Sequence, residues 1–553
     1  MALASATAVE SGARVTTATT TEAGEPEAIG SPLARALFRT LLFATLVSNI
    51  GDWMEDVGET WLMTAFHGSP LMVALVQSSA SLPVFLVALP AGTLADIVDR
   101  KRLLLVTLVW TGSVAVLLSY LTLTHQIGPW GLLGCTFAMG IGAALGAPAW
   151  QAVVADVVPR REVARATMLN GVAFNIARVG GPALGGLVVA RAGPGATFAL
   201  NALSFAVVIV ALLRWKRPVR PSLLPAERVW SGVRTGLRYV ASAPALRAIL
   251  VRTFCVLGSA SALWALLPSL VKRSLGGSPS DYGLLLTALG GGAVASAAFV
   301  ARVRERLGVD AVLIPATVVL AAAVFGVGVA PSMPWAALAM FVAGGAWLAI
   351  LATSGAAVQR GSAEWVRARA LAVYLLATEG AMALGSIGWG WLATRTSVRF
   401  ALEIAAGGIA LSTLVALTRR LRDLDRIDRS PAAVMPIPEA PAGTDREGTP
   451  VVVQIEYRVE AAKRAEFRAQ LEVVGRGRRR TGASFWMLTQ DSQDAARFVE
   501  LFIVESWNEH HRQHGRWTKW DEEAWKKAVA MVAPGTEPKV SHLLEADDGG
   551  RGR

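Results

Sequence analysis

Long apolar stretches recur along most of this chain, and they restrict the folds that it can adopt. From about Leu33 to Leu417 these stretches follow one another with short gaps, and most have close to the ~20 residues that a helix needs to cross a bilayer. Only 17% of the 553 residues are charged, whereas an average soluble protein has roughly 25%. The sequence therefore predicts an all-α membrane protein. Twelve transmembrane helices are expected, at residues 36–66, 71–95, 103–124, 130–155, 167–190, 197–214, 248–271, 282–302, 309–330, 334–358, 368–393 and 399–418.

An internal repeat divides the twelve spans into two sets of six. The tripeptide Gly-Ser-Pro at 68–70, before the second span, recurs at 277–279, before the eighth. Residues 33–214 and 248–418 are therefore predicted to form two six-helix halves, joined by a cytoplasmic connection at 215–247. Two such halves form a known transporter plan, in which the substrate is held near the membrane midplane between them.

The segments outside the spans are more polar than the spans themselves, and each predicts a different kind of structure. Residues 1–32 lack an apolar run and predict a disordered cytoplasmic tail. Within the central connection, apolar residues recur on one face between Val229 and Val240, which predicts a helix on the membrane surface. Residues 419–450 are charged and then rich in Pro, Ala and Gly, and we expect a linker that lets the following domain move independently. A short tail is expected at 547–553.

Residues 451–546 predict a soluble cytoplasmic α+β domain, which we call the module. Its alternating and amphipathic stretches follow the order β-α-β-β-α-β, which is typical of a ferredoxin-like fold. One sheet face is expected to be apolar and to pair with a second copy, giving a homodimer. The residues expected on that face are Phe485, Met487, Phe502 and Val504.

The distribution of basic residues between the spans predicts the orientation. Twenty-five Lys and Arg residues lie on the side that carries both termini, and five lie on the other side. Basic loops stay in the cytoplasm, so both termini are expected there. This distribution also accounts for the net charge of +12 without a nucleic-acid partner.

Four carboxylates lie within the first span, where each costs about 2.5–3.5 kcal/mol to insert. Asp52, Glu55, Asp56 and Glu59 are spaced i, i+3, i+4 and i+7, so they form one stripe along the helix, which we call the acidic stripe. The stripe is expected to face a water-filled cavity as a proton-coupling or cation-binding cluster. In the alternative interpretation, Arg178 pairs with one acid as a structural bridge, and Glu59 lies near the outer headgroups.

Three further charged residues within the predicted spans bear on this cavity. Glu379 in the eleventh span is a candidate for the same cavity, and Arg252 in the seventh lies nearer the cytoplasmic side. An acidic cavity that also contains tryptophans favours a cationic or aromatic substrate. Arg178 in the fifth span completes the set of candidate cavity residues.

The segment after the second span, residues 92–102, reads Gly-Thr-Leu-Ala-Asp-Ile-Val-Asp-Arg-Lys-Arg. We call it the loop motif. It resembles the major facilitator superfamily signature between helices 2 and 3, which implies a cytoplasmic gate that includes Gly92, Asp96, Arg100 and Lys101. Asp96 and Arg100 are expected to lie i, i+4 on the end of the second span. The two departures from the signature are Ile97 and Asp99, where the signature has Arg and Gly.

The fifth span carries a second motif, formed by Gly181, Pro182, Gly185 and Gly186, which we call the helix-5 motif. Glycines at this spacing allow helices to pack closely, and the proline bends the helix. The motif resembles the Gly-Pro-x-x-Gly-Gly element of the superfamily's exporters, which implies export.

Two longer stretches narrow the resemblance. Residues 48–53 with 84–92 resemble the branch called transmembrane secretion effector, which is related to enterobactin-type siderophore exporters. Residues 500–514 look like the tail domain of some members, which is similar to antibiotic-biosynthesis-monooxygenase-type modules. The resemblance implies a multi-pass protein of the bacterial inner (plasma) membrane.

Taken together, these features favour a secondary active transporter that exports a small organic molecule, such as a siderophore, drug or secondary metabolite, in exchange for protons. Its partners would be the substrate, protons, the lipid bilayer and a second copy of the module. We expect no enzyme activity, cofactor or metal. Two alternatives remain: a membrane-tethered, cofactor-independent monooxygenase-like enzyme, and a sensor that does not transport.

Four histidines in the module are also candidates for metal binding or catalysis. They are His510, His511, His514 and His542. His510 and His514 are spaced i, i+4 on a predicted short helix, which is a spacing that could hold zinc. No cysteine lies nearby in the sequence, and a packing or protein-contact role is favoured.

Overall fold

The computed structural model describes residues 31–66, 68–215, 229–418, 421, 428–432 and 448–544. Parts of several predicted segments lie outside these residues: the two terminal tails, the central connection before 229, most of the linker and the last two residues of the module. The described residues form a helical bundle followed by the small module.

The bundle helices begin at residues that favour helix N-termini. Ser69 and Ser278 are N-caps, and Pro70 and Pro279 follow them as first helical residues, so the repeated Gly-Ser-Pro starts equivalent helices in the two halves. The helices are α1 (Ala36–Ala65), α2 (Pro70–Ile97), α3 (Arg100–Leu123), α4 (Pro129–Val157), α5 (Val163–Ala192), α6 (Pro194–Arg214), α7 (Val229–Ala241), α8 (Pro244–Ser269), α9 (Pro279–Leu307), α10 (Asp310–Gly328), α11 (Met333–Gly361), α12 (Arg367–Arg395) and α13 (Val398–Thr418).

Eleven of the described helices are long and apolar enough to cross a membrane, namely α2–α6 and α8–α13. The remaining long helix, α1, has 30 residues but carries the acidic stripe. It packs against α5 and α6, and Gly51 and Gly58 lie where α6 approaches closely. It is therefore the twelfth member of the bundle. The predicted fold of two six-helix halves is confirmed.

The two ends of the bundle differ in charge. We call the end that carries the arginine-rich α2–α3, α4–α5, α9–α10 and α11–α12 connections the basic end, and the opposite end the far end. The halves meet where α2 packs on α12 and α5 packs on α9. The Ser78 hydroxyl donates to the Ala383 carbonyl, and the Thr287 hydroxyl to the Val179 carbonyl, both at 3.0 Å. These contacts join the halves near the membrane centre.

At the far end, two cations of the second half bind backbone carbonyls of the first. Lys272 Nζ donates to the Thr64 carbonyl at 3.0 Å and lies 5.7 Å from the centroid of the Trp61 ring. Arg273 donates to the Gly68 carbonyl. Thr64 lies in the last turn of α1, where the helix dipole attracts cations. We call Lys272 and Arg273 the far-end latch, because they hold the two halves together at this end.

The module has the predicted β-α-β-β-α-β order, with its second helical segment divided into two helices. Its elements are β1 (Val451–Arg458), α14 (Arg464–Thr481), β2 (Ala483–Gln490), β3 (Arg497–Val504), α15 (Trp507–Gly515), α16 (Lys519–Val529) and β4 (Lys539–Leu544). The strand order is β2-β3-β1-β4, and every neighbouring pair is antiparallel. This is the ferredoxin-like arrangement, so the predicted fold of the module is confirmed.

The predicted apolar sheet face is wrong in two of its four residues. Phe502 and Val504 are almost fully buried in the module core, whereas Phe485 and Met487 are 45% and 39% exposed. The reason is the register: Phe485 lies opposite Ile503, and residues opposite one another share a face. The face turned away from the helices, which we call the open face, carries the apolar residues Val452, Phe485, Met487, Leu501, Ile503 and Leu543 beside polar ones such as Gln454 and Ser541.

The predicted helix in the central connection is present as α7, but it lies against the bundle and the module. Arg238 donates to Glu505 at 3.0 Å and to the Gly482 carbonyl at 3.1 Å. Arg234 also lies 3.7 Å from Glu505. On its other side, the Tyr239 hydroxyl accepts from the Ala363 N–H at 3.1 Å, in the α11–α12 connection. The module is therefore docked on the basic end through α7.

Further hydrogen bonds hold the module in place, which differs from the independent movement expected from the linker. The Trp365 indole of the α11–α12 connection donates to the Arg516 carbonyl at 3.2 Å. Residues 428–432 of the linker pair with the module: the Ala432 N–H donates to the Trp517 carbonyl, and the Lys519 N–H to the Ser430 carbonyl, each at 2.9 Å. The composition of residues 419–450 indicated a flexible linker, because composition alone carries no information about backbone pairing with a distant part of the chain.

The docking of the module through α7 leads to a prediction about dynamics. Glu505→Ala removes the acceptor shared by Arg234 and Arg238. We expect amide hydrogens of α7 to exchange up to about fivefold faster, because a partly exposed ion pair contributes about 1 kcal/mol or less. Hydrogen–deuterium exchange with mass spectrometry on the full-length protein measures this.

The control for this prediction is Glu456→Ala. Glu456 forms a 3.0 Å ion pair with Arg497 within the module, away from α7, so exchange in α7 should not change. Equal exchange in α7 for wild type and Glu505→Ala would contradict the docking role of the two arginines.

Candidate functional site

The structure divides the acidic stripe into two pairs. Glu55 and Glu59 are each only 4% exposed, whereas Asp52 and Asp56 are exposed. Gly51 and Gly58 turn a neighbouring face of α1 towards α6, and the helix-5 motif covers another face. Glu55 and Glu59 therefore point into the first half, whereas Asp52 and Asp56 lie on an exposed face of α1. The sequence spacing alone did not distinguish the buried pair from the exposed pair.

Asn201 of α6 was not among the predicted site residues, yet it binds the stripe. Its side-chain amide donates to Asp52 Oδ1 at 3.3 Å and to Glu55 Oε2. The Ser204 hydroxyl donates to Asn201 Oδ1 at 2.9 Å, which fixes the direction of the amide. Gly51 makes room for this contact, since a β-carbon there would overlap Asn201. An asparagine in the middle of an apolar span is the sequence signal that could have identified it.

Glu59 has its own partner in the first half. The Thr136 hydroxyl of α4 donates to Glu59 Oε1 at 2.7 Å. The alternative placement of Glu59 among outer headgroups is therefore wrong, because the side chain is buried between α1 and α4. Thr136 was also missed, since a threonine in a span more often bonds only its own helix backbone.

The remaining predicted cavity residues lie apart from the stripe. Glu379 of α12 is half-buried beside Ser81 of α2, at the contact between the halves. Arg252 of α8 forms a 2.7 Å ion pair with Asp310 of α10, within the second half. The ion pair gives Arg252 a structural role.

Arg178 of α5 does not form the structural bridge of the alternative interpretation. Its Nε and Nη2 atoms are buried and have no hydrogen-bond partner among the described residues. The acids of the stripe bind Asn201 and Thr136 instead. The sequence placed Arg178 within the span but could not show that it lacks a partner.

The structure corrects the expected geometry of the loop motif. Helix α2 ends at Ile97, and Asp99 is the N-cap of α3, where its Oδ1 accepts from the Arg102 N–H at 2.9 Å. Asp96 and Arg100 therefore lie on different helices, and the expected i, i+4 pair is wrong. The physical reason is Asp99, which takes the place of the signature glycine and starts a new helix.

The described contacts of the loop motif lie within the first half. Arg100 forms a 3.6 Å ion pair with Asp156 of α4. Lys101 Nζ donates to the Trp215 carbonyl at 2.5 Å, which caps the end of α6. The structure describes the backbone at Gly92 and Asp96 but not their surroundings, so the gate role remains a prediction.

The helix-5 motif joins three helices. A β-carbon at Gly181 would lie 2.5 Å from Trp53 Cβ, and one at Gly185 would lie 2.8 Å from Met54 Cα, so both glycines bring α5 against α1. Gly186 faces the other half, where its β-carbon would meet the Pro279 carbonyl at 2.5 Å. The motif therefore lets the helix of the acidic stripe, its neighbour α5 and α9 of the second half pack at backbone contact.

The module's histidines form a hydrogen-bonded cluster behind the sheet. His542 Nε2 lies 3.1 Å from His510 Nε2, and His510 Nδ1 lies 3.3 Å from Gln513 Oε1. Because the amide oxygen only accepts, His510 carries its hydrogen on Nδ1 and accepts from His542. Burial lowers the pKa of His510 to about 3 and that of His514 to about 4, which keeps both rings neutral. His511 is exposed outside the cluster.

These hydrogen bonds favour the packing role over a metal site. The described residues contain no group of three or more His, Cys, Asp and Glu side chains arranged to hold a metal ion. The Nε2 atoms of His510 and His542, 3.1 Å apart, share a hydrogen bond with each other.

A buried polar network in the same core was not predicted. Glu500 is fully buried and accepts from the Tyr457 hydroxyl at 2.8 Å, the Trp486 indole at 3.0 Å and Arg478 Nε at 3.3 Å. Burial also raises the pKa of Tyr457, so its hydroxyl stays a donor. Both carboxylate oxygens are occupied by core side chains, which indicates a structural role.

Sequence comparisons place the chain among transporters. Residues 28–549 match the family described as transmembrane secretion effector. The chain is 26% identical over 413 residues to the multidrug efflux pump Tap of Mycobacterium tuberculosis (strain ATCC 25618 / H37Rv), which covers 71% of this chain and 95% of Tap. It is 23% identical over 245 residues to the staphyloferrin A transporter of Staphylococcus aureus, covering 44% of this chain and 62% of that protein.

A third relative is the uncharacterized MFS-type transporter YfiS of Bacillus subtilis, 26% identical over 277 residues and 48% of this chain. That match spans 64% of YfiS, so it and the staphyloferrin match cover less than two thirds of those relatives.

Solved structures have the same fold. A bacterial homologue of the human lysosomal transporter Spinster matches with a TM-score of 0.60 and 14% identity, over 71% of this chain and 99% of that one. A POT family transporter in complex with 5-aminolevulinic acid matches with a TM-score of 0.59 and 13% identity, over 69% and 95%. Because the family match extends along nearly the whole chain and the bundle has this fold, the chain belongs to the transmembrane secretion effector family of major facilitator transporters.

Proposed function

We propose that this transporter exports its small-molecule substrate from a bacterial cell in exchange for protons. It would span the inner (plasma) membrane with both termini in the cytoplasm, which places the basic end inside the cell. The excess of basic residues at that end supports this orientation. The name of the Tap relative, a multidrug efflux pump, supports export.

The observation that carries the proposal is the exposed pair of the acidic stripe. Asp52 and Asp56 lie near the middle of the 30-residue α1, and both are exposed, whereas their neighbours Glu55 and Glu59 are buried. An exposed acid at this depth can take up and release a proton as water reaches it from either side. The buried pair is held by Asn201 and Thr136, so a role in positioning α1 fits it better.

The far-end latch indicates which step must follow. With the latch closed, the two halves are joined at the far end, and release of substrate in that direction requires Lys272 and Arg273 to leave the carbonyls of the first half. Rocking of one half against the other would achieve this, and protonation of the exposed pair would change the balance between the two states.

A screen for the substrate comes first: compound accumulation is compared in cells with and without the protein. Any compound whose accumulation falls only in the presence of the protein serves in the next experiment. Equal accumulation of every compound tested would count against export.

The exposed pair leads to a prediction about coupling. Asp52→Asn or Asp56→Asn should reduce transport driven by an imposed pH gradient by about tenfold or more, because a proton-transfer group that no longer titrates removes the driving step. Exchange of labelled for unlabelled substrate without a gradient should persist, since it needs no net proton movement. Both rates are measured in proteoliposomes.

The matched control is Glu305→Gln, an exposed acid near the basic end of α9. Its pH-driven transport should equal that of the wild type. Wild-type pH-driven rates in both aspartate variants would contradict proton coupling through this pair.

We also propose that the module forms a homodimer through its open face. Three of its side chains, Phe485, Met487 and Leu543, are 39–48% exposed. Phe485 and Met487 lie opposite Ile503 and Leu501 on β3, and Leu543 lies opposite Val452 on β1. An apolar sheet face of this kind is covered in most proteins, either by another layer or by a second copy.

The open face gives a prediction about the oligomeric state. Met487→Asp should convert a dimer of the full-length protein into a monomer, because a carboxylate would be buried at the centre of the interface. Mass photometry in detergent at micromolar concentration measures the mass. Val540→Asp changes an exposed apolar residue of the same sheet that points to the helix side, and it should leave the dimer intact. A monomeric wild type would contradict the proposal.

A further inference from the structure

Arg178 stands out among the charged groups of the bundle because it has no protein partner where it is buried. Its Nε and Nη2 atoms are shielded from solvent and make no hydrogen bond within the part of the chain that the structure describes. Arg252, in the opposite half, is paired with Asp310 at 2.7 Å. The side chain as a whole is half-buried, and burying one edge of a guanidinium without an acceptor is unfavourable.

Lipid headgroups cannot provide that counter-charge. Arg178 is the sixteenth residue of the 30-residue α5, so it lies about 22 Å along the helix from either end. An arginine side chain is far too short to reach the headgroups from this depth. The missing partner must therefore enter the protein.

The position of Arg178 is also where a transported molecule must pass. The next residue, Val179, accepts a hydrogen bond from Thr287 of α9 at 3.0 Å, and a β-carbon at Gly290 would lie 3.0 Å from the Arg178 carbonyl. Both α9 residues belong to the second half. Arg178 thus lies at the mid-membrane boundary between the halves, where this type of transporter holds its substrate.

We propose that Arg178 binds an anionic group of the transported molecule, a carboxylate or a similarly charged group with paired oxygens, so that the substrates are small organic acids. This inference rests on the proposed transport function and specifies its substrate class. The unpaired Nε and Nη2 atoms are neighbours on one edge of the guanidinium, which is the geometry that binds two oxygens of a carboxylate at once.

The inference replaces the expectation of a cationic substrate. That expectation came from the four acids of the stripe, but Asn201 binds Asp52 and Glu55, and Thr136 binds Glu59. Three of the four acids thus have a donor on one carboxylate oxygen, although Glu55 Oε1 has none among the described residues, whereas the whole buried edge of Arg178 has no acceptor. The buried, unpartnered edge of Arg178 presents two donors and therefore requires an acceptor.

The test measures how small carboxylates and amides of similar shape change the thermal unfolding midpoint of the purified full-length protein. The probes are salicylate and citrate, compared with salicylamide and with the amide of citrate, at constant ionic strength. We expect the carboxylates to raise the unfolding midpoint and the amides to leave it unchanged. Arg178→Gln should weaken the apparent affinity for the carboxylate by about tenfold or more, as loss of a charged hydrogen-bonding partner does. Arg178→Lys should retain part of the affinity, because an ammonium binds a carboxylate without the paired geometry.

A second readout separates binding from a structural role. Without any probe, Arg178→Gln should unfold at a higher temperature than the wild type, since it removes a buried unpaired charge. A lower midpoint would overturn the inference, because it would mean that Arg178 stabilises the fold through a protein contact. The control Arg191→Gln, at the exposed end of the same helix, should change neither the midpoint nor the affinity.

Other outcomes would also overturn the inference. These are stabilisation by chloride alone with no further gain from the carboxylates, equal stabilisation by the amides, and unchanged carboxylate affinity in Arg178→Gln. The outcome is independent of the proposed export, because binding is measured without transport. A protein that binds carboxylates through Arg178 but fails to move any compound would refute export and leave the substrate class intact.

Discussion

The hydrocarbon core of a membrane contains almost no water, so every polar group placed there needs a partner within the protein or from a ligand. This constraint explains the organisation of the bundle. The backbone is satisfied by the twelve long helices, and their contacts depend on residues without side chains, such as Gly185 and Gly186, that allow backbones to meet. The polar side chains that remain are then few, and their partners can be identified one by one.

Those partners divide the charged residues into two groups. Glu55, Glu59 and Arg252 are bound by Asn201, Thr136 and Asp310, and they fix the packing of helices within each half. Asp52, Asp56 and Arg178 are exposed or lack a partner, and they lie near the mid-membrane level of α1 and α5. The contacts of the first group indicate a structural role, and our proposals assign the second group to transport. Proton exchange through the aspartates and anion binding by the arginine would then occur on adjacent helices that the helix-5 motif holds together.

The docked module adds contacts at the basic end that join α7, the second half and the module itself. Helix α7 belongs to the segment between the halves, and it contacts the α11–α12 connection on one side and Glu505 of the module on the other. Movement of the α11–α12 connection relative to α7 would have to carry the module or break these contacts. The module is therefore positioned to respond to the transport cycle, even though its core of neutral histidines and a buried Glu500 network is structural.

Sequence alone determined the number of spans, the two halves, the unequal distribution of basic residues and the order of strands and helices along the module, because each follows from a pattern that extends over many residues. It also located the acidic stripe, since charged residues in an apolar span are conspicuous. Tertiary structure decided which acids are buried, that Asn201 and Thr136 bind them, and that the buried edge of Arg178 has no partner among the described residues, because these facts depend on side chains far apart in the chain.

The tertiary structure also overturned three local expectations. Asp99 caps a new helix and separates Asp96 from Arg100, sheet register places Phe502 on the core side, and pairing of residues 428–432 fixes the module. In these cases a helix cap, the register between two strands or a contact with a distant segment decided the structure, rather than the local sequence pattern from which the expectation came.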